Sequence, residues 1–189
     1  MEPHSKVDKE IIVAISGLHG TGKSTYANAI AKEFNLRVVS AGKLFRKLAD
    51  EKGISLEELS RISGTDNTID LQIDERTKSE AKSGAVIVEG RLAGWMTKDE
   101  SHIKILLTAP NQVRFRRIAE RENLSLEEAK RITLFREDQE RKRFKKYYGI
   151  DLDDNSIYDL IINTNKLPLN SCIKVIKEFI REYIKALGG

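Results

Sequence analysis

IIVAISGLHGTGKST, residues 11–25, runs from an apolar, β-branched stretch through a glycine-rich turn into the first residues of a helix. Ile11–Ser16 has the composition of a buried strand, and Lys23–Phe34 has the pattern of a helix of about three turns. Between them Gly17, Leu18, His19, Gly20, Thr21, Gly22, Lys23 and Ser24 match Gly-x-x-x-x-Gly-Lys-Ser/Thr, in the strand–loop–helix setting that gives this motif its meaning. The glycines let successive backbone N–H groups turn inward around a phosphate, and the helix N-terminus adds positive potential. Lys23 brings a full charge to the β- and γ-phosphates of ATP, the Ser24 hydroxyl is the expected Mg²⁺ ligand, and Thr25 belongs to the same nucleotide-binding turn. A tight turn matches the pattern by chance on the order of once in a hundred chains of this size, before its context is counted. His19 holds a variable position in a loop that works through its backbone, so only main-chain contact is expected of it. Neither His4 nor His102 has a partner that suggests catalysis.

Outward from this loop, short β-branched runs alternate with helical patterns, the signature of a parallel α/β sheet. The candidate strands are Ile11–Ser16, Arg37–Val39, Ala85–Glu89, Lys104–Thr108 and Leu160–Asn163. Lys23–Phe34, Asn111–Glu122 and Ser171–Leu187 read as helices, the last with Ile173, Ile176, Phe179, Ile180 and Ile184 on one face. The expected fold is a doubly wound, five-stranded parallel sheet in one domain spanning residues 1–189. Two charged helical insertions, about 42–84 and 124–148, interrupt the alternation where an open α/β sheet covers its ligands. Ser55 and Ser125 each precede Leu-Glu-Glu and read as helix-capping boxes.

Composition narrows the function classes. The hydrophobic fraction of 40% suffices for a globular core in 189 residues. The net charge of +4 is small and spread over mixed Lys/Glu helices, so neither a nucleic-acid partner nor a membrane surface is expected. The apolar runs are far too short to span a bilayer, and Met1–Glu10 is polar, unlike a signal peptide. Cys172, the single cysteine, can form no internal disulfide, and with these features the expected setting is a cytoplasmic monomer. Metal clusters of Cys and His are excluded by composition. Cys172 reads as a core residue, Trp95 and Tyr147/Tyr148 as packing anchors.

Two further motifs follow strand ends: Ser40-Ala-Gly-Lys-Leu-Phe-Arg46 and Val88-Glu-Gly-Arg91-Leu-Ala-Gly-Trp95. Each carries an arginine, Arg46 or Arg91, and a planar guanidinium takes a phosphate bidentately where lysine offers only a point charge. With the phosphate loop, these stretches resemble nucleoside monophosphate kinases, and most nearly the archaeal-type cytidylate kinases. The likeness continues through Phe144–Asp151 and Ile157–Thr164. It implies ATP as donor, CMP or dCMP as acceptor and Mg²⁺ as cofactor. It also implies that Arg46 and Arg91 clamp the acceptor phosphate, with Ser40, Gly42 and Gly90 beside the nucleotide. Glu89 matches an acidic position near the metal's water shell, usually Asp, so water-mediated contact is expected. Lys43 departs from the family, where an acid is common.

The stretch from Arg136 to Arg143 resembles the family's lid. This implies that Arg136, Arg141 and Arg143 close over the transferring group, that Arg117 stacks on adenine, and that Arg121 reaches the donor phosphates. A solvated Glu/Arg helix is the competing reading of the same residues. Asp70 and Asp74, four apart on one helical face, are candidates for reading the base, since a carboxylate accepts from the N4 amino group of cytosine and repels O4 of uracil. An adenylate, uridylate or thymidylate kinase is the nearest alternative. A nucleic-acid-associated ATPase, supported by the basic Lys142–Lys146 run, and a small-molecule kinase resembling shikimate kinases are the others.

Overall fold

The computed structural model describes residues 11–188. His4 and the polar opening segment lie outside these residues. The elements run β1 (Ile12–Gly17), α1 (Lys23–Phe34), β2 (Arg37–Ser40), α2 (Ala41–Lys52), α3 (Leu56–Thr65), α4 (Thr68–Lys82), β3 (Val86–Glu89), α5 (Ala93–Met96), β4 (Ile103–Thr108), α6 (Asn111–Glu122), α7 (Leu126–Tyr148), β5 (Leu160–Asn163) and α8 (Leu169–Gly188). The strands form a five-stranded sheet in the order β2-β3-β1-β4-β5, every neighbouring pair parallel. This is the doubly wound α/β architecture expected.

Strand β1 is buried along its whole length, which is why its sequence is a continuous apolar run rather than an alternating one. Its side chains divide between two faces by the period of two. Ile11, Val13 and Ile15 pack with Tyr26, Ala27 and Ile30 of α1 and with Cys172, Ile176 and Ile180 of α8. Ile12 and Ala14 pack on the other face with Val86, Val88, Ala81 and Ala93. Cys172 is a core residue, as read.

Helix α8 starts two residues earlier than the sequence pattern suggests. Pro168 sets the start: its carbonyl accepts the N–H groups of Ser171 and Cys172 at 3.0 Å each, and its own missing donor costs nothing before a first turn. Ser55 and Ser125 do cap α3 and α7, accepting from the backbone N–H groups of Glu58 and Glu128. The reciprocal half of the box at Ser55 is replaced by an ion pair between Glu58 and Arg61.

The two insertions are α2–α4, with their own small core of Phe45, Ala49, Leu59 and Ile69, and the long helix α7. Helix α7 runs unbroken for 23 residues to Gly149, whose left-handed φ of 66° ends it. It packs on α3, where Tyr147 donates from its hydroxyl to the Gly64 carbonyl. Among the described residues no helix is long and apolar enough to cross a membrane.

Candidate active site

The phosphate loop lies between the end of β1 and α6, and two of its glycines are required by contact. At Gly17 a Cβ would stand 2.4 Å from the Leu107 carbonyl oxygen, and at Gly20, with φ +77°, 2.5 Å from that of Arg114. Lys23 folds back on the loop, its Nζ donating to the carbonyls of Gly17 at 2.9 Å and Leu18 at 3.1 Å. Burial pushes the Lys23 ammonium down to about 8, opposed by Glu89 and reinforced by Arg91.

Glu89 ends β3 at the sheet's carboxyl edge, between β2 and β1, in register with Ile15 of β1 and Ser40 of β2. It is 2% exposed, and such a buried carboxylate demands partners. Ser24 donates from Oγ at 2.6 Å, and the Ser40 hydroxyl donates to the same oxygen. Ser40 also caps α2 through the Lys43 N–H, so it positions Glu89 and the turn at once. Ser24 and Glu89 form an all-oxygen donor set within a positively lined cavity, chemistry that fits a hard cation such as Mg²⁺ held with phosphate oxygens and water.

These groups open into a cavity of about 360 Å³. Its walls carry seven lysines and arginines (Lys23, Lys43, Arg46, Arg91, Arg121, Arg136 and Arg143) against four carboxylates (Asp70, Asp74, Glu89 and Glu140). Burial disfavours the charged forms of Arg46 and Arg136, so a bound anion would relieve both. Gly42 and Gly90 also line this cavity. At Gly90 a Cβ would stand 2.9 Å from that of Ala41, so the turn before Arg91 has no room for a side chain.

Three residues of α7 share the cavity face at i, i+4 and i+7: Arg136, Glu140 and Arg143. Arg91 lies 3.1 Å from Glu140 and 3.7 Å from Glu137. Arg143 pairs through Nε with Asp70 at 2.7 Å and lies over the rings of Phe144 and Phe45. Burial pushes the Asp70 carboxyl up to about 6 despite Arg143. It raises that of Asp74 as well, although the Tyr148 hydroxyl donates there. The structure thus brings both candidate base-reading acids to one apolar end of the cavity, beside Phe45, Ile73 and Phe144.

A second groove adjoins the first. Gly22, Thr25, Tyr26, Arg117, Thr164 and Asn165 line it, and Arg121 lines both. Arg117 is fixed there by the hydroxyl of Thr164 at 3.0 Å and its carbonyl at 3.2 Å.

A model of the cytidylate kinase-like family matches residues 12–166. The cytidylate kinase of Staphylothermus marinus is 47% identical over 93% of this chain and 99% of its own. That of Pyrococcus horikoshii is 45% identical over 90% and 88%. The chain belongs to the cytidylate kinase-like family. The fold is shared more widely: shikimate kinase from Bacteroides thetaiotaomicron superposes with a TM-score of 0.58 at 15% identity, over 93% of this chain and 98% of that one.

Arg141 and His19 stand differently from their expected roles, and Arg114 belongs to the fold. Arg141, grouped with the lid arginines, lies off the cavity face of α7, half exposed and paired with Asp153. Five residues beyond Arg136 is about 140° around a helix, so the two cannot share a face. Arg114, three and seven residues before Arg117 and Arg121 on α6, is 1% exposed and structural. Its guanidinium joins the His19 carbonyl at 2.8 Å, Glu137 at 2.6 Å and Asn111 at 2.7 Å, tying the loop to α6 and α7. His19 does more than present its backbone: its ring reaches Glu140 at 2.9 Å. His102 accepts the Ile12 N–H at 3.2 Å, a structural role.

The sequence reading passed over Phe45, Ile73, Phe144 and Thr164. The first three looked like ordinary packing residues, and no local pattern separates a cavity wall from a core. Trp95 and Tyr148 are packing residues, set against Leu92, Met96 and Phe144.

Proposed function

We propose that this chain transfers the γ-phosphoryl group of ATP to CMP, and to its 2′-deoxy counterpart, giving ADP and the cytidine diphosphate. The observation that carries this reading is the convergence of the phosphate loop and the arginines Arg46, Arg91, Arg136 and Arg143 on one cavity. An ATPase without an acceptor has no use for a second set of buried arginines. Coupled ADP release, assayed with CMP, dCMP, UMP, AMP and dTMP at matched concentrations, tests it. CMP-independent ADP release, or a preference for AMP or dTMP, would reject the assignment.

In this reading the donor phosphates lie on the loop N–H groups and Lys23, with Arg121 beside them and the adenine in the groove by Arg117. The acceptor phosphate lies against Arg46 and Arg91. That phosphate is already a nucleophilic dianion near neutral pH, its second pKa being about 6, so no general base is needed. Charge spreads over oxygens in a loose transition state, and the work left for the protein is positioning and electrostatics. Arg91, Arg136 and Arg143 supply positive charge from the acceptor and lid sides. Ser24 and Glu89 would hold Mg²⁺ with its waters, and the ion would neutralise charge on the donor phosphates. Helix α7 and the α2–α4 insertion cover the site and keep water from replacing the acceptor.

For base choice we propose the Asp70/Arg143 end of the cavity. A carboxylate accepts from the cytosine N4 amino group and the guanidinium donates to N3 or O2, a pattern that uracil, with O4 and N3–H, does not meet. Asp70→Asn and Asp74→Asn are each compared with the parent protein on CMP and UMP. At least one is expected to lower the CMP-to-UMP ratio by about tenfold, the effect of leaving one buried polar group mispaired. Unchanged ratios in both would move base recognition elsewhere.

A further inference from the structure

A loop that binds phosphate through its backbone leaves its variable side chains without a task, yet that of His19 is engaged. Its Nε2 lies 2.9 Å and 3.1 Å from the two oxygens of Glu140, 121 residues away on α7. Burial pushes the imidazole down to about 4; Glu140 opposes this, while Arg136 and Lys23 add to it. The ring is therefore neutral near pH 7 and donates from Nε2. Burial alone would raise the Glu140 carboxyl, but His19, Arg91 and Arg136 hold it well below its ordinary range. A neutral donor thus meets an ionised acceptor, one of the stronger hydrogen bonds available to a protein.

Glu140 is shared. Its Oε2 lies 3.1 Å from Nη1 of Arg91, a side chain only 7% exposed. Among the described residues, Glu137 and Glu140 are the carboxylates within ion-pairing distance of Arg91. His19 is also anchored from behind, since its carbonyl accepts from Arg114 at 2.8 Å and Arg114 is clamped by Glu137. The imidazole is consequently a fixed post on the donor loop, and it engages both oxygens of a lid carboxylate that stands beside Arg91 without hydrogen-bonding its guanidinium. Without that post the carboxylate could turn fully onto Arg91 and take it in the two-pronged geometry that a phosphate needs.

We propose that His19, although part of the phosphate loop, is a positioning residue for the acceptor side: it holds Glu140 so that Arg91 stays open to the monophosphate. The inference rests on the reading of Arg91 as an acceptor-phosphate ligand. It makes an unusual demand, because a substitution in the donor loop must damage the constant of the other substrate.

The test is steady-state kinetics on the parent protein, His19→Ala, His19→Gln, Glu140→Ala and the double variant of His19→Ala with Glu140→Ala, with thermal melts to confirm folding. His19→Ala is expected to raise the KM for CMP by about tenfold, the effect of losing a hydrogen bond to a charged group, and the KM for ATP by less than about threefold. His19→Gln, whose amide can donate to Glu140 without charge, is expected to recover most of the CMP constant. The double variant is expected to be no worse than Glu140→Ala alone, since both act through one contact. Damage to the ATP constant with CMP spared, failure of His19→Gln to recover, or additive losses in the double variant would each overturn the proposal. A parent protein with no CMP-dependent turnover would instead overturn the substrate reading beneath it.

Discussion

Lys23→Ala is expected to lower turnover by at least about a thousandfold while the protein stays folded, since removing even one preorganised donor from developing negative charge costs a factor of that order. The side chain carries a full charge, and its Nζ donates to two loop carbonyls, those of Gly17 and Leu18. Donor phosphates would draw it off those carbonyls, so the loss falls on the transition state rather than on the fold. Stopped assays with CMP and ATP measure the rate, and circular dichroism melts measure the fold. Near-parental turnover would remove the loop from the reaction. The ammonium's depressed pKa adds a second readout. With a value of about 8, Lys23 is charged below that pH and loses its charge as pH rises through it. Affinity for a non-hydrolysable ATP analogue is therefore expected to fall above about pH 8 in the parent protein, a dependence that Lys23→Ala abolishes.

Arg91→Lys is expected to raise the KM for CMP by about thirtyfold and the KM for ATP by less than threefold, as loss of a two-pronged contact to a phosphate predicts. The geometry favours a large effect. Arg91 follows Gly90 just beyond the end of β3, its side chain is buried, and the carboxylates of Glu137 and Glu140 are its neighbours. Lysine would keep the charge and lose the planar fork, so charge and shape are separated by one substitution. Steady-state constants measured with each nucleotide varied in turn decide it. Equal damage to both constants would place Arg91 on the donor side or in a purely structural role.

The amino-acid sequence by itself determined the parts of this protein that local pattern encodes. The boundaries of α1 and α6, the five strands, the serine caps of α3 and α7 and the phosphate loop follow from periodicity, glycine spacing and capping chemistry, all of which act over a few residues. The chemical types at the site were legible in the same way, because Arg46 and Arg91 follow strand ends where a ligand can approach. Which arginines face the cavity was not. Arg114, Arg117 and Arg121 form one stripe in sequence, yet the first is a buried tie, the second lines one groove and the third lines both cavities. Arg141 and Arg143 stand two apart and point to different sides of α7. Likewise His19 meets Glu140 across 121 residues, and the Arg114 guanidinium meets the His19 carbonyl across 95. Only the tertiary structure decided these pairs. The angle at which α7 lies against α3 and the loop sets which side chains are buried together. Once buried, a charge must find a partner or bind a ligand.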